Sequence, residues 1–134
     1  MTVPRARLAV RTRGDHGQVS VEFLGILPLI ILVLLALWEC ALAGYTYTLA
    51  GDAADKGARR GAVATAGRES GACRDAALKS LSGDWRDSAS VTCHDDFGTG
   101  LYRAKVELEV PVIFPGLGGF PFTVTGEAAA AREG

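Results

Sequence analysis

The sequence predicts an α+β protein: one long N-terminal helix, membrane-spanning in its first half, packs on a small antiparallel sheet of about three strands with one extra short helix. Three observations predict it. Residues 23–38 carry no charge and are mostly Leu, Ile and Val, after which the pattern stays helical but turns to alanine and glycine. Residues 101–114 and 121–130 alternate apolar with polar side chains, the period of a half-buried strand. Cys73 and Cys93 lie in the polar half, spaced as a pair that closes a short loop.

Composition bounds the rest. The chain has 134 residues and a formal net charge of −1, so it lacks the basic footprint of a nucleic-acid binder. With a membrane segment set aside, about 85–90 residues remain, enough for a thin core but not for a deep small-molecule pocket. The chain divides into a basic leader at 1–17, a transmembrane half-helix at 18–43, an exported half-helix at 44–66 and a small domain at 67–134.

The apolar run from Phe23 to Trp38, extended through Ala43 with only Glu39 interrupting, gives about twenty residues and so spans a bilayer. Arg5, Arg7, Arg11 and Arg13 precede it, and no Lys or Arg follows until Lys56. Basic flanks stay inside, which places the N-terminus in the cytoplasm and the C-terminal part outside. Trp38, Tyr45 and Tyr47 gather at the far end, at headgroup depth, and Pro28 is expected to kink the helix. Glu22 stands at the mouth of this run. Drawn toward mid-bilayer, a carboxylate costs about 2.5–3.5 kcal/mol, which anchoring alone does not require.

Two export signals fit these residues. Ala41-Leu42-Ala43 before Gly44 satisfies a small-x-small cleavage rule, although the preceding basic region ends in an acid and Glu39 crowds the cut. A cut between Gly17 and Gln18 instead leaves Gln18 as the new N-terminus. Its amine then lies one helical turn from the Glu22 carboxylate, so the two can meet within a subunit or between subunits. An uncut anchor is the third outcome.

Beyond the membrane, Ala50, Ala54, Ala58 and Ala62 recur every four residues, with Ala53, Gly57 and Gly61 in a neighbouring stripe. Such spacing admits another backbone closely, either the protein's own sheet or a second subunit. Gly57 and Gly61 each cost about 1 kcal/mol against alanine, so a compensating contact is expected. Residues 67–71 read as a break and Cys73–Leu81 as a short helix stopped by Gly83. Asp84-Trp85 begins a strand or caps its edge, Ala89–Cys93 is a strand, and His94–Gly100 is a turn. In the strand from Leu101 to Phe114, Tyr102, Ala104, Val106, Leu108, Val110 and Val112 share the buried face. Arg103, Lys105, Glu107 and Glu109 form a solvated one. Residues 115–119 are a loop; the last strand follows, with Phe122, Val124 and Gly126 on one face. Phe114, Phe120 and Phe122 are assigned to core and hairpin packing.

No constellation predicts catalysis or a cofactor. Cys93-His94-Asp95-Asp96 lacks the second ligand pair a tetrahedral metal site needs, although Asp95 and Asp96 leave room for a loosely held calcium. His94 has no serine on a strand-turn-helix elbow to serve. Outside the cytoplasm, Cys73 and Cys93 read as one disulfide worth about 3 kcal/mol; in a reducing compartment they would be free thiols.

Gly17-Gln-Val-Ser-Val-Glu-Phe23, Leu27-Pro28-Leu29, Glu39 and Ala53-Ala-Asp-Lys-Gly-Ala-Arg-Arg-Gly-Ala62 resemble the prepilins of type IV pilus systems. More closely, they resemble the TadE-like minor pilins, or pseudopilins, of tight-adherence pili. The resemblance runs from Gly17 to about Ala64, and Ala128–Glu133 looks like the family's C-terminal strand. It implies that Gly17 is the last leader residue read by a membrane aspartyl prepilin peptidase and that Glu22 is the acid used in assembly. Phe23, Pro28, Glu39, Gly57, Ala58, Arg59 and Gly61 are the matching motif positions. Asp55-Lys56 departs from the commoner Arg-Glu pair, and Phe23 from the Tyr frequent in major pilins. The implied protein is a non-enzymatic subunit in the cytoplasmic membrane of a bacterium, crossing it once. Its implied partners are the lipid bilayer, the prepilin peptidase, other pilins and the pilus assembly platform. The residues alone also admit a membrane-tethered or secreted small binding module.

Overall fold

The structure, a computed structural model, describes residues 16–111 and 122–133, with side chains from residue 20 onward. Residues 1–15 of the basic leader, Val112, Phe114, the 115–119 loop and Phe120 lie outside the described residues. The elements are α1 (His16–Ala62), α2 (Glu69–Lys79), α3 (Asp84–Ser88), β1 (Ser90–Asp96), β2 (Leu101–Val110) and β3 (Phe122–Ala131). The fold is α+β, with two compact units, Met1–Ala36 and Leu37–Gly134.

In the first unit the described residues are the opening turns of α1, which runs through Pro28 without ending. Its side chains lie bare, Leu24 at 69% and Leu29 at 62% exposure. A continuous apolar surface on that scale is unfavourable in water and matches a hydrocarbon surround. Among the described residues, α1 is long and apolar enough to cross a membrane.

In the second unit an antiparallel sheet of order β1-β2-β3 turns one face to the rest of α1 and to α2. Period-two burial along β2 follows the sequence: Tyr102, Ala104, Val106, Leu108 and Val110 are buried. Small helix residues meet them. Ala50, Ala53, Ala54 and Ala58 are fully buried, and a Cβ on Gly126 would strike the Ala50 backbone. A Cβ on Gly61 would strike the Tyr102 ring. The small-residue stripe therefore packs on the chain's own sheet and on α2.

Several boundaries differ from the sequence expectation. Helix α1 stops at Ala62 rather than near 66, closed by a tight turn in which Ala64 N–H donates to Gly61 O. Helix α2 starts at Glu69, inside the expected break, with the Glu69 carboxylate in its first turn accepting the Gly67 N–H at 2.7 Å. Asp84-Trp85 does not begin a strand. Gly83, at φ +57°, turns the chain and α3 follows, so the fold has two short helices rather than one. Strand β1 extends through His94-Asp95-Asp96 because Asp95 and Asp96 pair with Tyr102 and Leu101, which shortens the turn to 97–100. Phe122 lies on the covered face of β3 yet is 54% exposed, not part of the core. At that end α3 stands beside Val110 of β2, and Phe122 on β3 stays half open.

Candidate membrane and assembly segment

The candidate residues fall into two groups that the fold does not bring together. Gly17 and Gln18 stand in the first turn of α1, and Glu22 one turn further on, exposed on the helix surface. Helical spacing puts positions 18 and 22 on one face. Phe23 and Pro28 follow, both exposed, and Glu39 is half-buried. A carboxylate one turn from a chain position that cleavage would make cationic can form an ion pair in an apolar surround.

The second group is Gly57, Ala58, Arg59 and Gly61. Gly57 is a close-approach position: an added Cβ would stand 3.0 Å from the Cys73 carbonyl oxygen and 3.3 Å from the Ala77 methyl. Cys73 is bonded to Cys93, with Cα atoms 6.4 Å apart, so one glycine seats both α2 and the bridge to β1. Ala58 is fully buried. Arg59 is exposed and pairs with Asp55 at 2.9 Å, as Lys56 does with Asp52 at 2.7 Å. Both are surface pairs one turn apart, worth about 0.3–0.5 kcal/mol each. Cys40 is free and exposed.

Sequence reasoning missed three features. Thr46 is fully buried, its hydroxyl donating to Leu42 O at 2.8 Å, and it continues the Ala50 stripe one turn earlier. That periodicity was available as a signal. Tyr45 meets Trp85 edge-on, with ring centroids 5.7 Å apart, and no local pattern predicts it. Arg132 ties the chain's last strand to Glu69 and Asp95, spanning most of the domain. Glu69 is held below the usual carboxylate range by its own backbone N–H, by the Gly67 N–H and by Arg132. Asp96 is lowered by the Thr99 hydroxyl and then by Arg103. Burial pushes Tyr102 up.

A groove of about 710 Å³ runs between the end of α1 and α2, with Arg60, Lys79 and Asp75 on its walls. Among the described residues no cluster of His, Cys, Asp and Glu is arranged to hold a metal, and β1 puts His94 and Asp95 on opposite faces.

The segment from Gly17 to Arg59 contains the uncovered apolar helix, Glu22 and the Gly57 contact. Residues 17–59 match the family model described as TadE-like protein. No curated protein and no solved structure matches the chain. The TadE-like segment ends where α1 is most deeply packed, so it covers the membrane helix and the helical half of the domain's core but not the sheet. Together the match and the bare helix fit a pilus-related, membrane-anchored protein.

Proposed function

We propose that this protein is a non-enzymatic minor pilin or pseudopilin of a tight-adherence pilus or a related secretion system. It is made with the basic leader inside the cell and held in the cytoplasmic membrane by α1 from Phe23 to about Ala43. A membrane prepilin peptidase cuts it after Gly17. The new Gln18 amine and Glu22 then pair, within a subunit or with a neighbouring pilin, as the helix moves into the assembly platform. The observation that carries this reading is the position of Glu22: inside the TadE-like segment, one turn from Gln18, at the start of an uncovered apolar helix.

The chemistry follows from dielectric. A carboxylate at a lipid boundary is stabilised by a cation within reach, and the pair fixes axial register because neither charge tolerates the apolar surround alone. Head-to-tail repetition of such a contact builds an open helical assembly rather than a closed ring.

Mass spectrometry of the mature N-terminus tests the reading directly. A chain beginning at Gln18 is the expected result. A start at Gly44 would assign the protein to ordinary secretion, and an intact leader would leave a plain anchor. Either of those outcomes removes the proposed amine.

A further inference from the structure

We infer that the end of the small domain bearing Trp85 and Phe122 is a second membrane contact, a lipid-surface dock that seats the domain in the headgroup layer beside its own helix. The inference rests on α1 being membrane-anchored and not on pilus assembly.

Register along α1 sets the level of that end. Gly61 faces Tyr102 and Ala50 faces Gly126, which is paired with Val106. Passing from Gly61 to Ala50 descends about 16 Å of helix. Passing from Tyr102 to Val106 descends about 13 Å of strand, so the hairpin runs down the helix nearly in parallel with it. Four more residues reach the Val110–Phe122 pair, another descent of about 13 Å. On α1 that is the level of residues 41–43, where the apolar run ends. Burial along α1 agrees: Leu42 and Ala43 are half-covered, whereas Leu37 and Trp38 are 61% and 55% exposed.

Aromatic groups collect at this level. Phe122 is on the inner face of β3, yet it is 54% exposed. Trp85 leans on Tyr45, and its indole N–H is buried without an acceptor among the described residues. A groove of about 190 Å³ beside it is lined by Trp85, Val110 and Pro111. Aromatic rings at such a level suit the ester and headgroup zone. Asp84 and Glu109 also line the groove, and Asp87 lies on the same short helix, so attraction to anionic lipid does not drive the contact. Burial of the rings does, and the fitting surface is zwitterionic.

The test uses the full chain in phosphatidylcholine vesicles, with Cys40→Ala and the disulfide intact. A nitroxide is placed at Phe122→Cys or, at the opposite tip of the sheet, at Phe97→Cys, where Phe97 is 91% exposed. Collision with oxygen and with a water-soluble nickel chelate is then read by paramagnetic resonance. The expected result is several-fold lower nickel access at 122 than at 97, unchanged by dilution of protein in lipid. In a Trp38→Phe background, quenching of Trp85 by shallow brominated lipid is expected, and Phe122→Glu is expected to weaken it. Equal nickel access at both sites, in protein that still floats with alkali-washed vesicles, overturns the dock alone. Protection at 122 that disappears on dilution assigns the surface to a second copy and also overturns it. Failure to float overturns the dock together with the anchoring on which it rests.

Discussion

At the scale of single residues, glycine marks where this helix touches its neighbours, and the contacts rank the glycines. Gly51 has open space around its missing Cβ, Gly57 has ordinary-to-tight neighbours, and Gly61 faces a buried aromatic ring. Alanine at an open helix position recovers about 1 kcal/mol of helix propensity. At Gly61 the same gain is opposed by overpacking against Tyr102, which costs about 1–3 kcal/mol because a ring locked under a sheet has nowhere to swing. Gly51→Ala is therefore expected to stabilise the domain and Gly61→Ala to destabilise it, with Gly57→Ala between them. Urea midpoints in detergent micelles, read from Trp85 fluorescence in a Trp38→Phe background, give the order. A Gly61→Ala protein as stable as Gly51→Ala would contradict the close approach to Tyr102.

At the scale of elements, α2 is the piece most in need of support. It has 11 residues, too few to persist alone in water, and packs through Cys73 and Ala77. The bond from Cys73 to Cys93, 20 positions on, ties it to β1 and restricts the unfolded chain by about 3 kcal/mol. Replacing both cysteines by serine is expected to remove about that much and to expose α2 amides to hydrogen exchange while β2 stays protected. An unchanged midpoint would show that the bridge carries no stability. The same element shows what sequence reading reaches. The alternation of β2 and the alanine spacing of α1 are local periodicities, so strand faces and the buried helix stripe were legible. Helix α3 was not, because five residues carry no period and its start depends on a positive φ at Gly83. Phe122 was assigned to the core because its parity along β3 is right; how far a covering helix extends is a tertiary length that parity cannot give. Glu22 stands out in the sequence for a different reason: an acid against an uncharged run is conspicuous without any structure.

At the scale of the whole molecule, the packing decides where subunits can meet. The small-residue stripe from Ala50 to Ala62 is spent on the chain's own sheet and α2, so it is not available as a seam. Among the described residues, the most extended uncovered apolar surface is the first half of α1, with Glu22 at its start. An assembly built on that surface gains contact area between apolar helices but little specificity, since lipid tails compete equally well for leucine. In the proposed assembly the Glu22 charge would supply the specificity. Glu22→Ala removes a charge whose insertion costs about 2.5–3.5 kcal/mol at mid-bilayer and less at the boundary where it stands, so the variant is expected to enter the membrane at least as well as the parent. If the proposed cut after Gly17 occurs, the variant should retain it, because Gly17 and Gln18 are intact. Without the carboxylate, the Gln18 amine of a subunit has no partner in the apolar helix pack, and incorporation should fall at least tenfold, equivalent to about 1.4 kcal/mol. Glu22→Gln keeps the size and loses the charge; it should behave as the alanine variant does, whereas Glu22→Asp should retain part of the assembly. Membrane fractions, the mass of the mature chain and the yield of co-purified pilus components measure the three steps separately. Normal assembly by the glutamine variant would show that shape, not charge, sets the register of α1.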